Sequence, residues 1–377
     1  MATSQNTVKP KLAAGGIISK ILQKQIVIPL IALVALILFN LIVDPAFFQI
    51  KLNETNEGYK VLAGNIISVI DYGSELAILA IGMTLVTSSS GGQDISVGAT
   101  IAIAGSVILR VLCGTDENGN IISNPTKLQS SILVAFLIAV LVSMLFGAFN
   151  GVLVAYFKIQ PMVATLIMFT AGRSIAGWIN NNKNMNISAE CSKEFAYFGG
   201  AIPGIPIPTP VFIAAACMII IALVLKFTNL RLYSQSVGIN PNSSKLNGIN
   251  PQVVKLITYV ILGICVAIAG FIKVSRSAGI TYSTIAKDIE MDVILAVALG
   301  GNPLGGGKFN ITASIIGAYV IQMLTTTLQK YDVKSTEIPA YKAVVVIILV
   351  VVSAPVVRQK MTELKNKLMP AKAAKEV

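Results

Sequence analysis

Ten apolar stretches recur along this chain, and none of them contains more than two charged side chains. A helix needs about 20 apolar residues to cross the hydrocarbon core of a bilayer. Only 12% of the residues are charged, whereas a soluble domain ordinarily carries about 25%. Because so few charged side chains cannot cover a surface that faces water, the sequence predicts an all-α integral membrane protein.

The predicted membrane-spanning segments number about ten, and eight or nine are also compatible with the pattern. They are residues 26–43, 74–90, 97–112, 131–157, 162–179, 210–227, 253–273, 291–300, 311–328 and 340–357. The segment 291–300 is too short to span a bilayer alone, so we expect its helix to begin further back, towards Thr281. Glycine and serine interrupt many of these stretches, as is typical of helices that pack in a bundle.

Charges outside the spans indicate which segments face the cytoplasm, where lysine and arginine are enriched. Residues 1–25 contain lysines and no acid, the loop 228–250 contains Arg231 and Lys245 without an acid, and residues 358–377 are mostly basic. We therefore expect a cytoplasmic segment at 1–25, a membrane domain at 26–357 and a basic cytoplasmic tail at 358–377. A cleaved signal peptide is disfavoured, because 26–43 is long and no small-x-small cleavage site follows it.

Several function classes are excluded by composition. The chain contains no histidine, so histidine-based triads and histidine-ligated zinc are impossible. The net charge of +12 is explained by cytoplasmic lysines rather than by nucleic-acid binding. Cys217 and Cys265 lie in apolar stretches, and we expect them to be core residues. Cys113 and Cys191 lie in loops that we place outside, and a disulfide between these two is one of two open alternatives.

A polar, glycine-bearing segment at 82–98 separates two apolar stretches and contains Asp94. Irregular backbone at membrane depth occurs only where protein buries it or where it lines a water-filled cavity. The alternative is a short cytoplasmic turn in which Asp94 caps the following helix. The two interpretations are compatible, and both stay open.

A second glycine-bearing segment, 299–308, also lies between two apolar stretches. It is not a phosphate-binding P-loop, G-x-x-x-x-G-K-[ST], because Asn302 occupies the first glycine position and Phe309 follows Lys308. The chain therefore has no nucleotide-binding motif of its own. The similar placement of the two segments indicates a weak internal repeat, a common plan in transporters that bind substrate on broken helices.

Charged side chains inside spans are costly and mark functional sites or structural pairs. Arg173 lies well inside its span, near the bilayer centre, and its expected partners are Glu290 and Asp292. A transport role and a structural pair are equally open for Arg173. We expect Asp71 and Glu75, which lie at the start of a span, to be at the membrane surface.

The cytoplasmic segment 230–250 combines two glycines, Gly238 and Gly248, with Asn240-Pro241, a helix-start signal. The pattern predicts a short helix that either fits a groove on a soluble partner or simply connects two spans. On the other side, the prolines of 199–210 exclude a regular helix. That segment is either a stiff connector or a docking surface for an extracellular partner.

Three ordered segments resemble motifs of the permease subunits of bacterial ABC importers for ribose, galactose, xylose and related sugars, in the branched-chain amino acid/ribose permease superfamily. Residues 82–98 resemble G-M-T-hydrophobic-V…G-G-I-D-L-S-V-G, with Gln93 in place of isoleucine. Residues 238–248 are similar to G-x-N-x-x-A-A-x-x-x-G-I, with Ser243 and Ser244 in place of two alanines. Residues 290–307 resemble E-L-D-x-I-A-A-V-x-L-G-G…G-G-x-G. The resemblance covers about residues 74–355.

The resemblance implies a fold like that of type II ABC importers and a subunit that performs no covalent chemistry and binds no cofactor or metal. Two permease chains, identical or different, would form the pore in the bacterial plasma membrane. Two cytoplasmic ATPases would bind ATP-Mg, and an extracellular sugar-binding protein or lipoprotein would deliver a monosaccharide. The coupling helix that contacts the ATPase would contain Gly238, Asn240, Pro241, Ser243, Ser244 and Gly248. Motif residues with a structural role would be Gly91, Gly92, Asp94, Gly98, Glu290, Asp292, Gly300, Gly301 and Gly306.

The candidate liners of the substrate path are polar residues of the spans: Thr84, Thr87, Ser88, Asn150, Arg173, Asn180 and Gln322. A nucleoside or an autoinducer sugar remains an alternative substrate. A secondary transporter would require paired carboxylates in its spans, and only Asp94, Glu290 and Asp292 are near enough. A passive facilitator would not need the segment 238–248.

Overall fold

The computed structural model describes residues 26–54, 58–116, 121–122, 125, 127–188 and 191–353. The predicted cytoplasmic segments 1–25 and 358–377 lie outside the described residues. The described part of the chain contains thirteen α-helices and four short strands. The predicted all-α fold class is therefore confirmed.

Each of the ten predicted spans contains one helix. These helices are α1 (Val27–Val43), α2 (Asn65–Ser90), α3 (Val97–Cys113), α4 (Ile132–Ala155), α5 (Pro161–Ile179), α7 (Thr209–Phe227), α10 (Pro251–Ser277), α11 (Ile289–Leu299), α12 (Ile311–Lys330) and α13 (Ile338–Ser353). Three shorter helices lie in the connections: α6 (Lys193–Ala196), α8 (Leu230–Ile239) and α9 (Pro241–Leu246). A 3₁₀ helix at Pro45–Phe48 precedes two antiparallel pairs, β1 (Lys51–Glu54) with β2 (Lys60–Ala63) and β3 (Met185–Asn186) with β4 (Gly279–Ile280).

Six helices, α2, α4, α5, α7, α10 and α12, are long and apolar enough to cross a membrane. The chain is therefore a multi-pass membrane protein. Helices α1 and α3 are shorter, with 17 residues each, and α13 has 16. Their length is at the lower limit for a span.

The predicted extension of α11 back towards Thr281 is wrong. Residues 282–288 form consecutive turns, and α11 begins at Ile289. The reason is Asp288, whose backbone is left-handed (φ 64°) and cannot continue a right-handed helix. The run of turns leaves several carbonyl oxygens without helical partners, and Arg173 binds them, as described below.

Helix α2 forms the centre of the bundle and packs against α7, α10, α11 and α12. Every residue from Gly73 to Ser89 is buried, as expected for a helix that neighbouring helices surround. Helices α4 and α7 instead expose apolar side chains such as Leu141 and Ile219, which is typical of a lipid-facing surface. Protein also buries most of the segment 82–98, with Gly91 exposed at the turn.

The connections gather at two ends of the bundle. One end, which we call the long-loop end, comprises the described residues 44–54, 58–64, 114–116, 127–131, 180–188, 191–208, 278–288 and 331–337. There the amide of Leu62 donates to Pro206 O over 2.9 Å and the amide of Ile187 donates to Ala278 O over 2.8 Å. The opposite short-helix end comprises 91–96, 156–160, 228–250 and 300–310. Cys113, at the end of α3, is a free thiol, so the disulfide with Cys191 is not formed.

Candidate functional site

Helix α9 is the short helix that the Asn-Pro signal predicts, and local hydrogen bonds define both of its ends. The side chain of Asn240 accepts from the amides of Asn242 (3.0 Å) and Ser243 (3.1 Å), and Pro241 occupies the first helical position. Gly248 ends the motif with a left-handed backbone (φ 79°). The segment is therefore a defined helix-turn between α8 and α10, with its own N-cap.

The two serines that replace the motif's alanines have different environments. Ser244 is buried and donates from Oγ to Asn240 O over 2.9 Å, a bond within the first turn of α9 that stabilises the helix itself. Ser243 and Lys245 are exposed, and Leu246 is 90% exposed. The outer side of α9 thus presents a leucine and small polar groups to whatever lies beyond the short-helix end.

Gly238 lies where α8 touches the central helix. A Cβ on Gly238 would collide with the carbonyl oxygen of Ser88 and would lie 2.7 Å from the amide nitrogen of Gly307. That amide donates to Ser88 O over 3.1 Å. Only glycine permits this approach of three backbones. Gly238 therefore faces the end of α2 rather than the outer surface.

The two glycine-bearing motifs meet at the same place. Gly91 and Gly306 have left-handed backbones (φ 69° and 85°), and a Cβ on Gly306 would lie 2.9 Å from the Cα of Gly91. We call the group Ser88, Gly91, Gly238, Gly306 and Gly307 the glycine clamp. It joins α8, the end of α2 and the loop before α12.

The other motif glycines also mark close contacts. A Cβ on Gly92 would lie 2.6 Å from the Pro161 ring, and one on Gly300 would lie 2.7 Å from the amide nitrogen of Ser314. Gly301 has a left-handed backbone (φ 75°). A Cβ on Gly98 would collide with the buried carboxylate of Glu290. These residues pack helix ends and loops together.

Asp94 organises the turn before α3. Its Oδ1 accepts from the amide of Ser96 (2.8 Å) and from the Ser96 hydroxyl (2.6 Å), and its Oδ2 accepts from Asn150 Nδ2 (3.2 Å). Ser96 is the N-cap residue of α3. Asp94 therefore bonds to the N-cap residue and not to an amide of the first helical turn, so it shapes the turn before α3 without being the cap that the sequence suggested. Asn150, a candidate path residue, belongs to the same network.

The remaining candidate path residues are dispersed. Thr84 bonds to Ser314 across a helix contact (2.8 Å), and Asn180 donates to Ser106 Oγ (3.0 Å). Thr87 and Ser88 are buried, and their hydroxyls have no hydrogen-bond partner among the described residues. Gln322 lines a cavity at the long-loop end. Gln322 is thus the member of this set that lines one of the cavities described below.

Among the described ion pairs, Arg173 forms none with either expected partner, although its charge acts on nearby Glu290. Its guanidinium donates to backbone carbonyls of the turns before α11, including Ile285 O at 2.9 Å and Ser283 O at 3.3 Å. Asp292 instead pairs with Lys342 of α13, with oxygens 2.7 and 2.9 Å from Nζ. The irregular backbone of 282–288 supplies acceptors that the sequence pattern did not reveal.

A cluster of four charged residues at the long-loop end was missed by the sequence analysis. Arg276 pairs with Glu75 and, at 2.9 Å, with Asp71, and Lys273 pairs with Glu75 at 2.9 Å. The Arg276 guanidinium also lies 4.1 Å from the centre of the Tyr72 ring. Asp71 and Glu75, which we expect at the membrane surface, are therefore paired with two cations of α10. The spacings i,i+4 on α2 and i,i+3 on α10 place each pair on one helix face, a signal that could have identified this ion cluster.

The ion cluster lies between two cavities. An outer cavity of about 570 Å³ opens between the β1–β2 hairpin, the start of α2 and residues 192–208, and it is lined by Asp71 and Arg276. An inner cavity of about 280 Å³ is lined by Glu75, Lys273, Asp292 and Gln322. Tyr72 lines both cavities. Charged and hydroxyl-bearing walls of this kind suit a small polar solute.

Comparison with known proteins identifies relatives over nearly the whole chain. Residues 65–354 match the family described as "Branched-chain amino acid transport system / permease component". The chain is 32% identical over 371 residues to the fructose import permease protein of Bifidobacterium longum, covering 98% of this chain and 99% of that protein. It is 35% identical over 326 residues to the galactofuranose transporter permease protein of Escherichia coli, covering 86% and 88%. It is 32% identical over 324 residues to the ribose import permease protein of Escherichia coli, covering 86% and 92%. No solved structure matches the chain.

Proposed function

The chain belongs to the branched-chain amino acid transport system / permease component family, and we propose that it is the membrane-spanning subunit of an ABC importer that moves a monosaccharide. The similarity to import permeases named for fructose, galactofuranose and ribose supports this substrate class. As a permease subunit, the chain is not itself an enzyme. The observation that carries the proposal is α9, a capped helix with an exposed outer side that is tied through Gly238 to the centre of the bundle.

A separate ATPase subunit binds and hydrolyses ATP-Mg in this proposal, since 299–308 lacks the P-loop residues. The outer side of α9 seats in that ATPase through Pro241, Ser243 and Gly248, together with Leu246. Asn240 and Ser244 hold the helix in shape. Both termini and the short-helix end then lie in the cytoplasm of a bacterial cell.

Movement of α9 reaches the interior through the glycine clamp. A displacement of α8 at Gly238 pushes directly on Ser88 O, at the end of α2, because no side chain lies between the two backbones. Closure of the ATPase would thus favour one orientation of α2 over another, which is a population shift driven by differential binding.

The sugar enters from the long-loop end, where a substrate-binding protein delivers it, and passes the polar cavities beside the ion cluster. Gln322 is the candidate path residue that supports this route directly. Thr87 and Ser88, whose buried hydroxyls lack partners among the described residues, are available to a sugar when the helices separate. A second permease chain, identical or different, completes the pore.

The experiment is to purify the tagged chain from its native membrane with nucleotide present and to identify stoichiometric partners by mass spectrometry. We expect an ATPase with a complete P-loop, and the ligand of an accompanying binding protein then identifies the sugar. A chain that purifies alone and still moves solute in liposomes would instead support a facilitator or a gradient-driven transporter.

A further inference from the structure

A cavity of about 420 Å³ lies at the short-helix end, beside α9 and apart from the polar cavities of the proposed sugar route. It opens between the end of α4, the start of α5, the start of α10 and α9. Three lysines from three different segments line it: Lys158, Lys245 and Lys255. No aspartate or glutamate is among its described lining residues. The cavity therefore concentrates positive charge.

The three ammonium groups are available to a ligand. None of them forms an ion pair or a side-chain hydrogen bond with another described residue. Lys255 lies about one turn into α10 and is partly buried, so its charge is only partly compensated by water. Helices α5 and α10 both begin at this cavity, and their N-terminal ends add positive potential. An anion is the ligand that this electrostatic environment favours.

The surroundings of the cavity indicate where the anion comes from. Phe157, next to Lys158, is 70% exposed, and Tyr156, Met162 and Val163 are also exposed. Aromatic and basic residues together are typical of the boundary between bilayer and water. These apolar side chains would contribute nothing to the binding of a soluble anion, whereas they could contact the acyl chains of a phospholipid. Basic pockets between membrane helices are known to suit anionic headgroups.

We propose that this cavity binds the phosphate of an anionic phospholipid, with Lys158, Lys245 and Lys255 around the headgroup and the acyl chains on the exposed faces of α4 and α5. Because Lys245 belongs to α9, a bound lipid would link α9 to α4 and α10. The lipid would then stabilise the position of the helix that we assign to ATPase contact. This inference does not depend on which solute the protein transports.

The test compares lipids retained by the full-length protein in native mass spectrometry, after exchange into phosphatidylglycerol or phosphatidylcholine. We expect the wild type to retain phosphatidylglycerol at least tenfold more than phosphatidylcholine. The triple variant Lys158→Gln, Lys245→Gln, Lys255→Gln should lose this preference. A matched triple variant at exposed lysines of the long-loop end, Lys127→Gln, Lys183→Gln, Lys334→Gln, should keep it.

A charge-preserving variant distinguishes loss of positive charge from misfolding as the cause of lost lipid binding. Replacing Lys158, Lys245 and Lys255 by arginine should retain the lipid, and a large excess of inorganic phosphate over protein should not displace it. Equal lipid retention by the wild type and the glutamine variant would overturn the proposal. Displacement of the lipid by phosphate would overturn the proposal and identify a soluble anion as the ligand. If the wild type retains no lipid and the glutamine variant no longer binds the ATPase, the lysines contact the partner subunit instead.

Discussion

Gly238 is the residue at which the outer helices of the short-helix end meet the centre of the bundle. Its missing side chain allows α8 to press on Ser88 O and on the amide of Gly307 without an intervening atom. The ion cluster has the opposite design, since long side chains bridge α2 and α10 at the long-loop end. The contact at Gly238 transmits a displacement directly between backbones, whereas the ion pairs of the cluster hold α2 and α10 together.

The Gly238→Ala variant tests the backbone contact. The added Cβ must displace α8, and overpacking of this kind costs roughly 1–3 kcal/mol. Separately from that folding cost, loss of the contact between α8 and α2 should weaken their coupling and lower ATP-driven uptake, by roughly the 5–150-fold that a typical coupling free energy represents, with normal membrane insertion. Uptake into proteoliposomes measures the effect. The control is Gly305→Ala, whose Cβ would meet no atom within 4 Å; equal uptake by the two variants would contradict the assigned role.

The Arg276→Gln variant tests the ion cluster. It leaves Asp71 without its partner and deprives buried Glu75 of one of two cations. Because the Arg276 side chain is 19% exposed, we expect a stability loss of roughly 2–3 kcal/mol, below that of a fully buried pair. Thermal unfolding in detergent measures it.

The matched control for the ion cluster is Lys330→Gln. Lys330 is 41% exposed and lies 3.6 Å from Asp44, so its pair contributes at most about 1 kcal/mol. A melting temperature that falls equally in the two variants would show that the ion cluster stabilises the protein no more than a surface pair does.

At the scale of whole elements, most helices could be predicted from the apolar stretches, because a span must be long and apolar whatever it packs against. The exceptions have tertiary causes. Helix α11 starts at Ile289 because Asp288 is left-handed and Arg173 binds the carbonyls of the preceding turns. Helix α2 begins at Asn65, nine residues before the predicted span 74–90. The helix can include the charged residues Asp71 and Glu75 because cations of α10 pair with them. Neither contact between distant segments is visible in the local pattern.

Helix α9 depends on its cap, which the Asn240→Ala variant removes. Loss of an N-cap asparagine costs roughly 1 kcal/mol, which corresponds to about fivefold faster amide exchange in α9. Hydrogen–deuterium exchange of peptides covering 241–247 measures this change. Asn242→Ala is the control, since Asn242 contributes only its backbone amide to the cap. Unchanged exchange in the Asn240 variant would show that docking against the bundle, rather than the cap, maintains α9.

At the scale of the whole molecule, α2 connects the two ends. Its 26 residues span about 39 Å as a regular helix. Its first turns carry Asp71 and Glu75 of the ion cluster, and its last turn carries Ser88 of the glycine clamp. A single buried helix therefore touches both the cavities at the long-loop end and α8, which leads directly into the helix that we assign to ATPase contact. The sequence motifs predicted the contacts at the short-helix end. The cavities at the long-loop end could not be predicted, because segments distant in sequence form their walls.

In the proposed function, this chain imports a monosaccharide only when an ATPase seated on α9 hydrolyses ATP. The most direct measurement is uptake of labelled fructose, ribose or galactofuranose into proteoliposomes that contain the chain, its ATPase and its binding protein. We expect accumulation against a gradient with ATP and none with a non-hydrolysable analogue. Uptake that is equal without the ATPase, or that follows an ion gradient instead of ATP, would contradict it.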